Sequence, residues 1–158
     1  MPEWGTAVHE AGHAVIGRVL KMLCGHATIV PDVDSTGHSI TADPWVIWEY
    51  WLDEVGIQRP IAMVFHFRMM TFMAGAEAER VVLGSCRGGD EDDCKQVTYM
   101  ADDLIDTFDP AWGRWERRLR RHTARLVRKH RATIELVARA LMSGRTLSGE
   151  EIDRLCGR

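Results

Sequence analysis

The stretch Thr6-Ala7-Val8-His9-Glu10-Ala11-Gly12-His13-Ala14-Val15 constrains this chain more than any other. It contains His9-Glu10-x-x-His13. Residues four apart on an α-helix lie on one face, one turn apart, so a helix here would bring both imidazoles to one point. Two imidazoles held that way can grip one zinc ion, and a Glu between them can take a proton from a water at that point. The flanks agree with a helix. Thr6 is a suitable N-cap, Ala7, Ala11 and Ala14 are strong helix formers, and the next Pro is Pro31. Val8, Val15, Ile16, Val19 and Leu20 are spaced to bury one side. The expectation is a buried helix whose histidines point into a site.

Composition sets the frame around that helix. A hydrophobic content of 46% and a charged content of 27% are those of a soluble globular chain. No apolar run reaches the length of a membrane span, since Ile61 to Ala76 is broken by His66 and Arg68. The N-terminus lacks a basic region followed by an apolar one, so no signal peptide is expected. Cys24, Cys86, Cys94 and Cys156 form no CxxC pair, which favours reduced thiols and a cytoplasmic location over a cysteine zinc site.

The net charge of -3 conceals an asymmetry. Asp90 to Asp109 carries eight acidic residues and one Lys, whereas Arg114 to Arg131 carries nine Lys or Arg and one Glu, Glu116. A basic stretch can bind nucleic acid or acidic partners. The apolar positions within it keep a helical period, which favours a packed helix with a solvated face, so no nucleic acid is expected as a partner.

Along the chain, Lys21 to His26 reads as a turn containing Gly25. Ala27-Thr28-Ile29-Val30 is β-prone and stops at Pro31. Residues 32–37 are turn-rich, and His38-Ser39-Ile40-Thr41 reads as the return strand. An exposed strand there could pair with an extended peptide or only cover the core. Asp43 to Trp51 holds a cluster of aromatics that suits a core or interface. Pro60 marks a helix start, and Ile61 to Leu83 is helical and apolar, with Gly75 and its alanine neighbours allowing close approach of another helix. A further helix, from about Asp92 to Phe108, opens with acids that suit a helix N-terminus. In the last third, Trp112, Trp115, Leu119, His122 and Leu126 form one stripe, and Ile134, Val137, Ala138 and Leu141 form another. Ser148 and Glu151 form a capping box that opens a short final helix.

A catalytic zinc needs a third protein ligand. The carboxylates Glu77, Glu79, Asp90, Asp92 and Asp93 are available, as are His26, His38 and His66. The elongated H-E-x-x-H-x-x-G-x-x-H motif is absent, because Ile16 and Val19 occupy its last two fixed positions, so this ligand comes from a separate element.

The residues resemble a known family. Val8-His9-Glu10-Ala11-Gly12-His13-Ala14-Val15 resembles the metal helix of the FtsH-type, ATP-dependent zinc metalloproteases. Ala27 to Pro31 resembles that family's strand ending in Pro, and Met73-Ala74-Gly75-Ala76-Glu77-Ala78-Glu79-Arg80-Val81-Val82-Leu83-Gly84 resembles its Ala-Gly helix that ends in Gly. Asp92-Asp93 and the residues through Ala101 resemble its Asn-Asp helix, and Leu141 to Leu155, with Thr146 to Ile152 inside it, its closing element. The likeness departs at Asp92, where Asn is common, at Cys94, and across Thr41 to Pro60. These residues contain neither the family's GxxxxGK[ST] phosphate loop nor its membrane anchor.

The resemblance implies a mainly α (α+β) fold, a helical metallopeptidase domain with a small β-hairpin or sheet beside the HExxH helix. Residues 1–158 would form a single such domain, about 1–109 its catalytic core and 110–158 C-terminal helices. It implies one zinc ion per chain on His9, His13 and Asp93, with Glu10 as general base. Glu79 falls close to the site, as a rival ligand or as a carboxylate orienting an imidazole. Gly37, His38, Ser39 and Ile40 would correspond to the substrate-pairing edge strand. The implied activity is zinc-dependent endopeptidase cleavage of peptides or unfolded proteins. The alternatives are a non-proteolytic adaptor, whose basic helix contacts an acidic partner, or a peptidase subunit served by a separate ATPase chain. A homo-oligomer is compatible with each.

Overall fold

A computed structural model of the chain describes all residues except 1, 32–36, 55, 57, 89 and 106–108, and gives only the backbone of Pro2, His38, Ser39 and Ile40. Among the described residues there are seven helices and three short strands, a mainly α arrangement. Their order is α1 (Pro2–Val19), β1 (Cys24–Thr28), β2 (His38–Thr41), α2 (Pro44–Asp53), α3 (Ile61–Leu83), α4 (Glu91–Asp102), α5 (Pro110–Lys129), α6 (Arg131–Gly144), β3 (Thr146–Leu147) and α7 (Gly149–Leu155).

Helices α1 and α3 form the centre. Apolar α1 positions are buried on more than one side: Ala7, Ala11 and Ala14 as well as Val8, Val15 and Ile16. Such a helix belongs inside a domain rather than on its surface. It packs on α3 and α6, and α3 in turn carries α2, α4 and α5. Gly12 sets the α1–α3 approach. A β-carbon there would lie 2.6 Å from the Ala74 carbonyl oxygen and 2.7 Å from Ala78 Cβ, and neither atom can swing away.

The helix starts four residues before Thr6, which therefore lies inside α1 and is not its N-cap. The reason is tertiary. Trp4 packs against the core, and Gly5 sits close to Leu83 at the end of α3 and to Arg87 in the loop that follows. The third and fourth helices follow local signals more closely. Pro60 is the N-cap of α3, and Gly84 ends it with φ 83, a left-handed conformation that glycine adopts without strain. Helix α4 ends at Asp102, short of the expected Phe108, which lies outside the described residues.

The sheet has the order β2-β1-β3, antiparallel throughout. Strand β1 begins at Cys24 and ends at Thr28, so it includes Gly25 and His26, read from sequence as a turn, and excludes Ile29 and Val30. A register shift between Cys24 and Ala27 accommodates the glycine. Thr28 pairs with His38 on one side and with Thr146 on the other, and its Oγ1 lies 2.7 Å from Thr146 Oγ1.

The aromatic stretch is helix α2, capped by Asp43, whose side chain accepts from the Trp45 amide, with Pro44 in its first turn. Trp51 is buried and its Nε1 donates to the Lys21 carbonyl at 2.9 Å, whereas Trp45 is exposed. In α5 the buried positions are Leu119, Thr123, Ala124 and Val127, while His122 of the expected stripe is exposed. The Ser148–Glu151 capping box forms in both directions at the start of α7.

Candidate metal centre

Helix α1 presents His9 and His13 toward α3, with ring centroids 4.7 Å apart. Both are buried. Gly75 of α3 is the reason the rings fit, since a β-carbon there would lie 2.5 Å from Nε2 of each imidazole. The Ala-Gly segment of α3 thus clears space for the histidines as well as for the α1 backbone.

Each ring is held by its Nδ1. His9 Nδ1 donates to Glu79 Oε1 at 2.7 Å, and His13 Nδ1 donates to the Thr71 carbonyl at 2.7 Å. Glu79 is itself anchored, because its Oε2 accepts from the Arg87 amide at 2.8 Å. These contacts turn both Nε2 atoms toward a common point. The N-terminus of α4 supplies a carboxylate to that point. Asp93 Oδ2 lies 2.9 Å from His9 Nε2 and 3.1 Å from His13 Nε2. The helix N-terminus also favours a negative charge at this position.

The electrostatics follow from the geometry. Burial disfavours a charged His9, but the contacts with Asp93 and Glu79 outweigh it and raise its pKa to about 10. For His13, burial is again the largest effect and opposes charge, and the Asp93 carboxylate reverses it, so its pKa is raised. Burial would lift the Asp93 carboxyl, yet the two imidazoles hold it well below the usual carboxylate range.

The donor set fits zinc. Ligand atoms of His9, His13 and Asp93 all lie within 4.8 Å of one another, and no other such trio was found among the described residues. Two imidazole nitrogens and one carboxylate, each Nδ1 tied to an acceptor, is the composition that zinc sites use. The competing candidates are engaged elsewhere. Glu77 pairs with Arg80, Asp92 pairs with Lys95, and His66 sits against the Trp115 ring. Asp90 stands at the N-cap position of α4 without a side-chain capping bond, and its Oδ2 accepts from Cys94 Sγ at 3.9 Å. Glu79 faces the Nδ1 of His9, on the side of the ring away from Asp93, and is not one of the three residues whose ligand atoms cluster.

Glu10 follows His9 on α1 and is buried. Gly37, at the head of β2, closes over it. A β-carbon at Gly37 would lie 3.2 Å from Glu10 Cγ and 2.8 Å from the Thr28 carbonyl oxygen. The backbone of His38, Ser39 and Ile40 forms β2 beside this point, and their side chains lie outside the described ones. Sequence reasoning did not find the Thr71 carbonyl or the Arg87 amide, which are backbone groups and carry no residue signature. The clearance role of Gly75 was readable only as helix packing.

A helix-borne histidine pair, joined by a carboxylate from a second helix and flanked by a buried Glu, defines a metallopeptidase type of site. The chain belongs to peptidase family M41, whose profile it matches over residues 4–114. It is similar to the ATP-dependent zinc metalloprotease FtsH of Protochlamydia amoebophila (strain UWE25), with 26% identity over 102 residues. That match covers 63% of this chain and 10% of the relative, so the chain spans about a tenth of the relative's length. No described helix is long and apolar enough to cross a membrane.

Proposed function

We propose that the chain is a zinc-dependent endopeptidase acting on peptides or unfolded proteins. The observation that carries this reading is the convergence of His9, His13 and Asp93, with Glu10 beside them on the same helix, in a chain of family M41. His9, His13 and Asp93 would hold the ion, and Glu79 and the Thr71 carbonyl keep the imidazoles turned toward it. Zinc, when bound there, supplies Lewis acidity that lowers the pKa of a water and polarises a carbonyl. Glu10 takes the proton of the attacking water and returns it to the leaving amine. Its burial keeps bulk water from competing for that proton.

Strand β2 is one of the two edge strands of the sheet, and its edge, unpaired among the described residues, suits an extended peptide, pairing backbone to backbone. Gly37 to Ile40 are the residues of that edge, next to Glu10. Only an extended chain can pair in this way, which selects peptides and unfolded segments over folded proteins. The ATP dependence in the relative's name belongs to that protein; addition of an ATPase chain is a separate arm of the assay.

The test is digestion of casein by the purified chain, with metal content measured in parallel. Glu10→Gln is expected to abolish cleavage while zinc stays bound. Cleavage persisting in that variant removes Glu10 from the role, and wild-type protein that binds zinc but cleaves nothing, with or without an ATPase, supports the adaptor reading instead.

A further inference from the structure

The outer face of α5 is not used by the metal centre. Arg114, Arg117, Arg118, Arg121, Arg125 and Arg128 are all exposed. Their spacing puts them within about a third of the helix circumference, in a line about 21 Å long. No acid shares the line. Glu116 points away and pairs with Arg120, while Arg131 and Arg139 share Glu135. None of the six arginines is in an ion pair among the described residues. A protein of net charge -3 thus concentrates a single-sign line of charge on one helix.

Against the expectation drawn from its helical period, which the packing of α5 on α3 meets, we infer that the solvated face itself is a docking surface for the phosphate backbone of duplex nucleic acid, read without regard to sequence. Charge complementarity carries the assignment. Duplex DNA presents one phosphate charge per about 1.7 Å, so 21 Å of it carries about twelve, and roughly half of these face one side. The arginines match that number and that linear arrangement, and each guanidinium can hold a phosphate with two parallel hydrogen bonds. Three other occupants fit less well. The apolar side of α5 (Leu119, Ala124 and Val127) is buried in the protein, and no large hydrophobic residue is exposed on this helix, so nothing on it can insert into a lipid surface. The same lack of exposed apolar anchors leaves a protein partner without the desolvated centre that stable interfaces need. A second copy fits less well because its exposed acids, among them Glu49 of α2, Glu91 and Asp102 of α4 and Glu150 of α7, are spread over several helices rather than lined up on one. The face of α5 that carries Leu119, Thr123, Ala124 and Val127 is buried and the helix packs against α3, so it would lie along the backbone rather than enter a groove to read bases.

The experiment is fluorescence anisotropy of a labelled 20-base-pair duplex of arbitrary sequence with the full chain, from 50 to 300 mM NaCl. The logarithm of affinity is expected to fall against the logarithm of salt with a slope of about -5, as six phosphate contacts require. A second duplex of unrelated sequence is expected to bind within twofold. The triple variant Arg118→Glu, Arg121→Glu, Arg125→Glu is expected to bind at least tenfold more weakly at 50 mM salt with an unchanged melting temperature, while the corresponding triple Lys variant keeps most of the affinity. No binding at 50 mM salt, or equal binding by the Glu variant, overturns the inference. So does tighter binding to phosphatidylserine vesicles or to polyglutamate than to the duplex.

Discussion

A β-carbon placed on Gly75 would lie 2.5 Å from Nε2 of His9, the atom that faces Asp93. The same carbon would lie 2.5 Å from Nε2 of His13. Alanine in a helix interior is otherwise favoured over glycine by about 1 kcal/mol. The two effects act on different observables. Helix propensity acts on stability, and the added methyl group acts on two rings that are pinned from behind by Glu79 and Thr71. Gly75→Ala is therefore expected to fold with a melting temperature within a few degrees of wild type and to lose zinc affinity by at least tenfold. A competitive chelator titration measures this, and wild-type affinity in the variant would show that the rings yield.

Glu79 and Asp93 meet the His9 ring at opposite nitrogens. Asp93 contacts both Nε2 atoms, and Glu79 contacts one Nδ1. Loss of an orienting carboxylate typically costs about 10–100-fold in metal affinity. Glu79→Gln is expected to fall in that range, because an amide oxygen can still accept from His9 but its NH2 then faces the Arg87 amide, which is also a donor. Asp93→Ala is expected to lose more, leaving zinc substoichiometric after dialysis. Metal analysis of the two variants side by side decides it, and the reverse order would exchange their roles.

The histidine pair was legible because spacing alone puts His9 and His13 on one helical face. Helix α3 was legible end to end, because Pro60 and Gly84 mark its boundaries and apolar residues fill it. What escaped depended on partners distant in sequence. The first turn of α1 is held by Trp4 and by the end of α3, so the local cap signal at Thr6 misplaced the start. Strand β1 reaches back through Gly25 because Cys24 has a partner in Thr41, which no propensity reveals. Asp93 could be told from Glu79, Glu77 and Asp92 only through family likeness. The structural distinction lies in which ring nitrogen each carboxylate faces, and spacing does not encode ring orientation.

Arg18 ties three elements together and was not visible as a structural residue. It is buried at the end of α1. Its Nε donates to Asp153 of α7 at 2.6 Å, its Nη1 to the Ala14 carbonyl at 3.1 Å, and its Nη2 to the carbonyls of Gly25 and Gly149, both at 3.2 Å. Removing one member of a buried charged network costs about 3–5 kcal/mol, and the half-exposed Asp153 points to the lower end. Arg18→Met is expected to lower stability by about 3 kcal/mol, or the melting temperature by roughly 6–12 °C for a chain of this size. Arg18→Lys restores the charge but not the planar fork, so it is expected to recover less than half of the loss. Thermal melts by circular dichroism test both, and a drop under 2 °C for Arg18→Met would mean that water replaces the network at little cost.

Cys24 lies beside Arg18 and behind Gly17, whose β-carbon would sit 2.5 Å from its Sγ. Burial is the main cause that pushes its thiol up to about 11, with Arg18 opposing and Asp153 adding to the shift. The thiolate is the nucleophile toward iodoacetamide, so native Cys24 is expected to alkylate at least a hundredfold more slowly at pH 8 than in guanidinium. The sign for stability follows from the same shift. An acid whose pKa is higher in the folded state holds its proton more tightly there, so its contribution is fully present below about pH 9 and is lost as pH rises toward 11. Cys24→Ala is expected to flatten the fall in melting temperature over that interval. Mass spectrometry of time-resolved labelling gives the order of reaction among the four cysteines, all partly buried, and native Cys24 alkylating as fast as it does in guanidinium would show that the space behind Gly17 opens to solvent.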